Sequence, residues 1–288
     1  MKKIKRLIRK VLQAVQPVNV MYANVQVLQP SEYLKGRTAL VTGGTSGIGY
    51  AIAKAYVDAG ARVIITGRSQ ERIDSACQKI TNESRKIDAQ IRGIVLNNLE
   101  VPSFHDKIQE AISFFGPIDI LVNNAGVLGA HISNATEEEY DAVLDTNLKG
   151  VFFLSKEFGH YFKENQIKGN ILNIASSSSL RPAASAYTIS KWGIRGLTLG
   201  LAKVLAPYGI TVNGLAPGQT ATPMLMDNNN DGNIISPSAP IGRYALPEEV
   251  SNMAVILVSN MGRMIMGDIV YMTGGVGVFS NEDMNWNF

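Results

Sequence analysis

The chain has 288 residues, 45% of them hydrophobic, which is enough for one large α/β domain or two small ones. A single cysteine excludes a disulfide framework and is typical of a reducing compartment, so we expect a cytoplasmic protein. The net charge is only +3, no apolar run reaches the roughly 18 residues of a membrane span, and three scattered histidines lack metal-ligand spacing, so we predict no metal site.

The charge is concentrated at the start of the chain. Residues 1–16 contain six lysines and arginines, and no acidic residue precedes Glu32. The rest of the chain therefore has a net charge of −3 and shows no basic stripe that would bind nucleic acid. Apolar residues at helical spacing predict an amphipathic helix there, which either lies on an anionic membrane or packs on protein. Residues 17–36 have little periodicity and predict a linker or an arm wrapped on the main domain.

From residue 37 onward, apolar runs alternate with helical patterns. This alternation predicts one α/β domain over 37–288, in which a parallel sheet of about seven strands carries helices on both faces. The runs that we assign to strands are 38–42, 61–66, 91–96, 118–122, 169–174, 210–215 and 268–272. Residues 1–36 form a separate N-terminal extension in this division.

A glycine-rich turn, Thr42–Gly49, joins the first predicted strand to a helix that ends at Gly60. In such a turn Gly43 permits the tight bend, Gly47 permits close approach of a pyrophosphate, and Gly49 permits packing of helix on sheet. The helix N-terminus then offers free N–H groups to an anion. The alternative is a plain strand-to-helix turn, but the next apolar run completes a βαβ unit and favours the phosphate site.

The second strand ends at Gly67 and Arg68, where a dinucleotide-binding fold meets the adenosine ribose. An acid at this point would bind the ribose 2′-hydroxyl and repel a 2′-phosphate. A guanidinium pairs well with a phosphate, so we predict that NADP(H) is preferred to NAD(H). The alternative is an ordinary surface arginine.

Polar residues follow the later strands. The fourth strand leaves through Asn123–Gly126, and Thr136 with Glu139 predicts a capping box for the next helix. Asn147 lies within that helical stretch and would otherwise be a solvent-facing asparagine. The fifth strand ends in a serine run, 176–179.

Tyr187 and Lys191 lie four residues apart on one predicted helix and therefore share a face. A neighbouring ammonium group favours the phenolate and lowers the tyrosine pKa, so the pair can serve as a general acid or base. Alone, such a pair is a common surface feature. Its place eleven residues after Ser176, downstream of the glycine turn, favours catalysis.

Together these motifs resemble the short-chain dehydrogenase/reductase family with a single Rossmann-type domain. The matching segments, in the family's order, are Thr42–Gly49, Asn123–Gly126, Asn147, Ser176, Tyr187 with Lys191, and Pro217–Thr222. The resemblance implies a doubly wound three-layer α/β/α fold, a nicotinamide cofactor, a small carbonyl or alcohol substrate, and a homo-oligomer, either dimer or tetramer.

The resemblance also implies residue roles. Tyr187 would protonate the substrate oxygen during reduction, and Lys191 would lower the tyrosine pKa and hold the nicotinamide ribose. Ser176 would hydrogen-bond the carbonyl oxygen, although a loop two residues shorter than usual leaves Ser177 as the alternative. Asn147 would anchor a water that relays protons to Lys191.

The cofactor contacts implied by resemblance lie at the strand ends. Asn98 would touch the adenine, Asn124 would lie on the adenosine side, and Thr220 and Thr222 would meet the carboxamide. The full set is Gly43, Thr45, Ser46, Gly47, Ile48, Gly49, Arg68, Asn98, Leu99, Asn124, Ala125, Gly126, Tyr187, Lys191, Pro217, Gly218, Thr220 and Thr222.

Two segments flank this core. Residues 223–246 are expected to form a substrate lid, and the aromatic tail 279–288 is expected to pack on a neighbouring subunit. We therefore expect an NADP(H)-dependent oxidoreductase that uses Tyr187 as general acid or base. The alternative is a catalytically silent, cofactor-binding regulator that docks on a membrane through residues 1–16.

Overall fold

A computed structural model describes residues 30–86, 88–226, 234–236 and 238–277. The predicted amphipathic helix of 1–16 and the aromatic tail of 279–288 lie outside the described residues, as does the centre of the predicted lid. Within the described part, none of the helices is long and apolar enough to cross a bilayer.

The described chain builds one sheet of seven parallel strands in the order β3-β2-β1-β4-β5-β6-β7, which confirms the predicted fold class. The strands are β1 Thr38–Val41, β2 Arg62–Gly67, β3 Ile91–Val95, β4 Ile120–Asn123, β5 Asn170–Ile174, β6 Thr211–Pro217 and β7 Ile269–Met272. All seven overlap the predicted apolar runs, because both faces of a parallel sheet are covered and most of its strand residues are apolar.

Helices cover both faces of the sheet. They are α1 Gly47–Asp58, α2 Gln70–Glu83, α3 Phe104–Phe115, α4 Glu137–Leu144, α5 Gly150–Glu164, α6 Ala186–Leu205 and α7 Pro247–Val258. Alternate residues of β1 point to opposite faces: Val41 packs among residues of α1, α2 and α7, whereas Leu40 packs among residues of α3, α5 and α6. The result is a three-layer architecture.

The strand order reverses between β1 and β4, its immediate neighbour in the sheet. In open α/β sheets the loops diverge at such a switch point and leave a crevice at the carboxyl ends of the strands. The glycine turn leaves β1 there, and Asn123–Gly126 leaves β4 beside it. The topology therefore brings together motifs that are 80 residues apart in sequence.

The amino end of the sheet is closed by a hydrogen-bonded network. Arg37 donates to Asn170 Oδ1 at 2.7 Å, to the Val258 carbonyl at 3.2 Å and to the Asp119 carbonyl at 3.3 Å. Leu34 is fully buried in the core, so residues 30–36 form an arm packed on the domain rather than a free linker.

Candidate active site at the carboxyl ends of the strands

The glycine turn depends on backbone freedom and close approach. Gly43 and Gly47 have positive φ angles of 63° and 56°, which favour glycine. A Cβ on Gly49 would lie 2.3 Å from both the Gly43 carbonyl oxygen and Asn124 Nδ2. That amide donates to the Thr42 and Gly43 carbonyls at 2.9 and 3.1 Å. Asn124, expected on the adenosine side of the cofactor, therefore directs its amide into the turn and holds the turn's shape.

The same turn presents the start of α1 to the crevice. Ser46 is the N-cap residue, and its side chain makes no capping hydrogen bond. Among the described residues, the amides of Gly47, Ile48 and Gly49 have no acceptor outside their helix. Free N–H groups at the positive end of a helix dipole form an anion site. The turn therefore fits the pyrophosphate of a dinucleotide.

The exit of β4 lies against the turn. Thr42 Oγ1 accepts hydrogen bonds from the amides of Asn124 and Ala125 at 3.0 and 3.1 Å. A Cβ on Gly43 would come within 2.9 Å of Ala125 Cα, so the two segments are in contact. Gly126 follows with Asn147 beside it.

The end of β2 holds the predicted adenosine-side residues. Arg68 is exposed and, within the described part, has no hydrogen-bond or ion-pair partner, which leaves its guanidinium available to a ligand. Thr45 lies close to this strand end, because a Cβ on Gly67 would meet its methyl group at 2.9 Å.

Asn98 differs from its expected role. Its side chain is buried and donates to the Thr146 carbonyl at 3.2 Å, so its amide points into the protein. The side chain of the preceding Asn97 is partly exposed, and Leu99 is 47% exposed. Sequence reasoning assigned the adenine contact to the more buried of two adjacent asparagines, because the twist of the loop after β3 is not encoded in the spacing.

Asn147 is buried, not solvent-facing. It lies in a single π-helical turn, Asp145–Lys149, between α4 and α5. Its carboxamide exchanges two hydrogen bonds of 2.8 Å with the backbone of Val127 and donates to Ser190 Oγ at 3.3 Å. Such π turns occur frequently at functional sites, because they redirect one side chain. Here the turn joins the β4 exit to α6.

Tyr187 lies in the first turn of α6, which begins at the cap residue Ser185. Ser176 lowers the pKa of the phenol from nearby, and its hydroxyl accepts from the Ser178 amide at 3.1 Å, whereas Ser177 accepts from Arg181 at 3.4 Å. The serine that faces the tyrosine is therefore Ser176.

Burial dominates the tyrosine pKa in this structure. It raises the pKa of Tyr187, and Ser176 opposes that rise only in part. Lys191 Nζ lies 5.6 Å from the ring centroid and donates to the Ile174 carbonyl. The lowering of the tyrosine pKa by Lys191 stays a prediction.

Lys191 is buried and has one acceptor, the Ile174 carbonyl, at 2.8 Å. Burial lowers the pKa of its ammonium group to about 8. An ammonium group has three N–H donors, so two of them have no acceptor among the described residues. A buried lysine with spare donors can bind ligand hydroxyl groups.

The segment after β6 closes the crevice on the other side. A Cβ on Gly218 would meet Thr273 Cα at 2.8 Å, so the backbone after Pro217 passes very close to the β7 loop. Thr220 pairs with Ala245, and the methyl group of Thr222 faces Gly47 of the glycine turn. The described part of the predicted lid exposes Met224 and Leu225 about halfway.

Sequence reasoning missed one polar residue of this site. Ser190 is fully buried, accepts from Asn147 and donates to the Tyr187 carbonyl at 2.7 Å. The available signal was its position immediately before Lys191, where an apolar residue would otherwise suit a buried helix face.

Comparison with known proteins agrees with this arrangement. A family model described as short chain dehydrogenase matches residues 37–233. A 3alpha-hydroxysteroid dehydrogenase of Mediterraneibacter gnavus is 35% identical over 84% of this chain and 97% of its own. The 3-oxoacyl-[acyl-carrier-protein] reductase FabG of Thermotoga maritima is 33% identical over 84% and 98%. A short chain dehydrogenase of Burkholderia cenocepacia, solved in complex with NADP, has a TM-score of 0.76 and 30% identity over 86% and 100%.

Proposed function

Because the chain belongs to the short-chain dehydrogenase family and is an NAD(P)-dependent oxidoreductase, we propose that it reduces a carbonyl to a secondary alcohol, or the reverse, with NADP(H). The observation that carries this proposal is the buried Lys191 with spare N–H groups, one helical turn after Tyr187 on α6 and beside the serine-bearing end of β5. When bound, the nicotinamide supplies or accepts the hydride.

Each residue of the site has a task in this proposal. Tyr187 donates the proton to the substrate oxygen during reduction and accepts it during oxidation. Ser176 holds that oxygen by a hydrogen bond donated from its hydroxyl. The spare N–H groups of Lys191 bind the nicotinamide ribose and carry a positive charge beside the phenol. Asn147 keeps the β4 exit against α6 and orders a proton-relaying water.

The tyrosine pKa has a consequence for this mechanism. Burial keeps Tyr187 protonated at neutral pH, which suits the donor needed for reduction. For oxidation the phenol must lose its proton, and a positive charge nearby is needed to stabilise the resulting phenolate. Lys191, still mostly charged at neutral pH, supplies that charge once its N–H groups turn toward a ribose.

The preference for NADP(H) rests on Arg68, whose free guanidinium lies at the end of β2 where an acid would exclude a phosphate. An NADP complex of a similar structure agrees with it. On the adenine, we propose that the partly exposed Asn97 makes the contact that the buried side chain of Asn98 cannot make. The carboxamide of Asn97 donates to Glu100 at 3.2 Å and accepts from the Leu99 amide at 3.3 Å, which leaves one N–H and one lone pair for a ligand. The glycine turn and the start of α1 hold the pyrophosphate, and Thr220 and Thr222 meet the nicotinamide.

The proposal extends to the oligomeric state and the cellular compartment. Helix α6 exposes Trp192 and Leu199 on one face, and α5 exposes Phe152, so a homo-oligomer would bury apolar surface along these helices. We propose that the protein is cytoplasmic. We also propose, from the sequence alone, that residues 1–16 make peripheral contact with a membrane.

The proposal is tested by following NADPH and NADH oxidation with ketones, 3-oxo steroids, keto sugars and 3-oxoacyl thioesters. We expect turnover with at least one class and faster turnover with NADPH. Tyr187→Phe is the matched control, since it removes only the hydroxyl. Turnover that is equal in the wild type and Tyr187→Phe would reject the mechanism, and binding of NADPH without turnover of any class would favour the silent regulator.

A further inference from the structure

A continuous line of buried polar side chains runs behind the active site. Asn123 on β4 donates to Asn173 Oδ1 on β5 at 2.8 Å and to Ser155 Oγ on α5 at 2.9 Å. Asn173 donates in turn to Thr198 Oγ1 on α6 at 2.9 Å. All four residues are at most 3% exposed. We call this set the polar ladder, and it joins two strands to two helices inside an otherwise apolar layer.

The polar ladder meets α6 two turns away from Lys191. Thr198 follows Lys191 by seven residues, which places both on the buried face of the helix. Their partners are consecutive in β5: Asn173 holds Thr198 through its side chain, and Ile174 holds Lys191 Nζ through its carbonyl. Two adjacent residues of one strand therefore fix two points of one helix.

A buried amide is costly to leave unpaired, so this connection permits one register and one rotation of α6 on β5. Apolar contacts alone tolerate small sliding and rotation of a packed helix. A shift of α6 along β5 would separate Lys191 Nζ from the Ile174 carbonyl, and would move Tyr187 relative to Ser176, which lies two residues beyond Ile174.

We propose that Asn173 and Thr198 are positioning residues of the active site, which hold α6 so that Lys191 and Tyr187 meet the end of β5 in their reactive places. This inference rests on the proposed function, because the placement matters only if these two residues do the chemistry. Neither Asn173 nor Thr198 touches the crevice, since both are fully buried in the layer between sheet and helices.

The same strand provides a matched control at its other end. Asn170, three residues before Asn173, donates to Thr211 Oγ1 and accepts from Arg37. Thr211→Val and Thr198→Val thus each remove one hydroxyl that accepts a hydrogen bond from an asparagine of β5. They lose that hydrogen bond at opposite ends of the sheet. Thr198 is also fully buried and donates to the Ile194 carbonyl at 2.8 Å, whereas Thr211 is partly exposed.

The experiment compares wild type, Thr198→Val, Thr198→Ser and Thr211→Val. We expect kcat of Thr198→Val to fall about tenfold to a hundredfold, as for a misplacement of about 1 Å, with substrate KM nearly unchanged. Thr198→Ser keeps the hydroxyl and should recover most of the rate. Thr211→Val should keep the wild-type kcat even if its melting temperature is lower than that of the wild type. If Thr198→Val does not fold, Thr198→Ala leaves room for a water to pair with Asn173 and replaces it.

A second readout does not need turnover. The rate at which trace acetic anhydride modifies Lys191, measured by peptide mass spectrometry across pH, reports the exposure and protonation of its amine. Thr198→Val should raise the labelling rate at high pH, where the amine is neutral, because Lys191 becomes more exposed. The titration of Lys191 should move from about 8 toward the ordinary value of lysine, because burial lowers that pKa. Thr211→Val should leave the labelling unchanged.

The proposal is overturned if Thr198→Val retains the wild-type kcat and Lys191 labelling, or if Thr211→Val alters both to the same extent. A wild type without turnover on any carbonyl, but with the expected difference in labelling, would instead remove the proposed function and leave the positioning intact.

Discussion

The two ends of the parallel sheet each hold a cation, the partly exposed Arg37 and the buried Lys191, and the two cations are held very differently. At the amino end, the guanidinium of Arg37 donates to three acceptors contributed by Asp119, Asn170 and Val258. At the carboxyl end, the ammonium of Lys191 has only the Ile174 carbonyl. Burial lowers the pKa of both groups, but only the lysine reaches a range where it titrates.

This contrast separates structure from function within one sheet. A guanidinium held by three acceptors and a nearby carboxylate ties together the elements around it. A buried cation with unpaired donors costs stability, and it persists where a ligand or a reaction uses those donors. The amino end is therefore structural, and the carboxyl end is the site.

The largest expected effect is at the carboxyl end. Tyr187→Phe removes the proton donor, and we expect kcat to fall by about 10³-fold, within the range for general acid–base catalysis. Binding of NADPH, followed by protein fluorescence, should change little because the ring remains. The melting temperature should not fall, since Tyr187 is partly exposed and its hydroxyl makes no hydrogen bond to another described residue. A drop in kcat of less than tenfold would assign the proton to another group.

The matching change at the amino end is Arg37→Met. It leaves three acceptors and the Asp119 carboxylate without their cation. We therefore expect the free energy of unfolding, measured in urea, to fall by about 3 kcal/mol. The kcat of the folded fraction at 25 °C should equal that of the wild type. A large loss of kcat in fully folded Arg37→Met would contradict the division between the two ends.

The pH dependence of stability distinguishes the two cations. The pKa of Lys191 is lower in the folded protein, about 8, than in the unfolded chain. The unfolded state therefore binds more protons in the intervening range, and stability from this group rises with pH. We expect wild type to gain about 2–3 kcal/mol over Lys191→Met between pH 7 and pH 10.

Arg37→Met serves as the control in the same series, because arginine keeps its proton over this range. Its stability difference from wild type should stay constant between pH 7 and pH 10. If the Lys191→Met difference is equally constant, the lysine has no lowered pKa in the folded protein.

A smaller effect is expected at the edge of the site. Arg68→Asp should lower kcat/KM for NADPH and raise it for NADH, so that the ratio changes by about tenfold to a hundredfold, equivalent to about 1–3 kcal/mol for a charged hydrogen bond. The control is Arg72→Asp, which makes the same charge change four residues later, in the first turn of α2. Similar ratios for the two variants would show a general charge effect instead of a specific contact.

The smallest effect concerns residues 1–16. If these residues contact a membrane, the full chain should sediment with liposomes containing anionic lipid more than the chain 17–288 does, and salt should reduce the difference. Liposomes of neutral lipid are the control. Equal sedimentation of the two chains would remove the membrane proposal, while the enzyme activity of both should be the same.

Much of the site could be predicted because local chemistry determines it. The glycine turn, Tyr187 and Lys191, and the serine at the end of β5 each carry a signature of residue type and spacing. The structure places them at one edge of the sheet, as parallel strands require. The direction of individual side chains was harder to predict. The side chains of Asn98, Asn124 and Asn147 all hydrogen-bond within the protein, where the sequence suggested contact with the cofactor or with solvent.

The amino-acid sequence by itself determined the seven strands, their parallel arrangement and the motif that binds a dinucleotide, since apolar runs and glycine spacing are local properties. Only the tertiary structure decided which buried polar groups are paired and which are not. Pairing requires that atoms from elements far apart in the chain come within about 3 Å of each other. Asn170, at the start of β5, pairs with Arg37 in this way, and Asn173, near the end of β5, pairs with Thr198. The pKa values of Tyr187 and Lys191 follow from that burial, so they too were set by the fold.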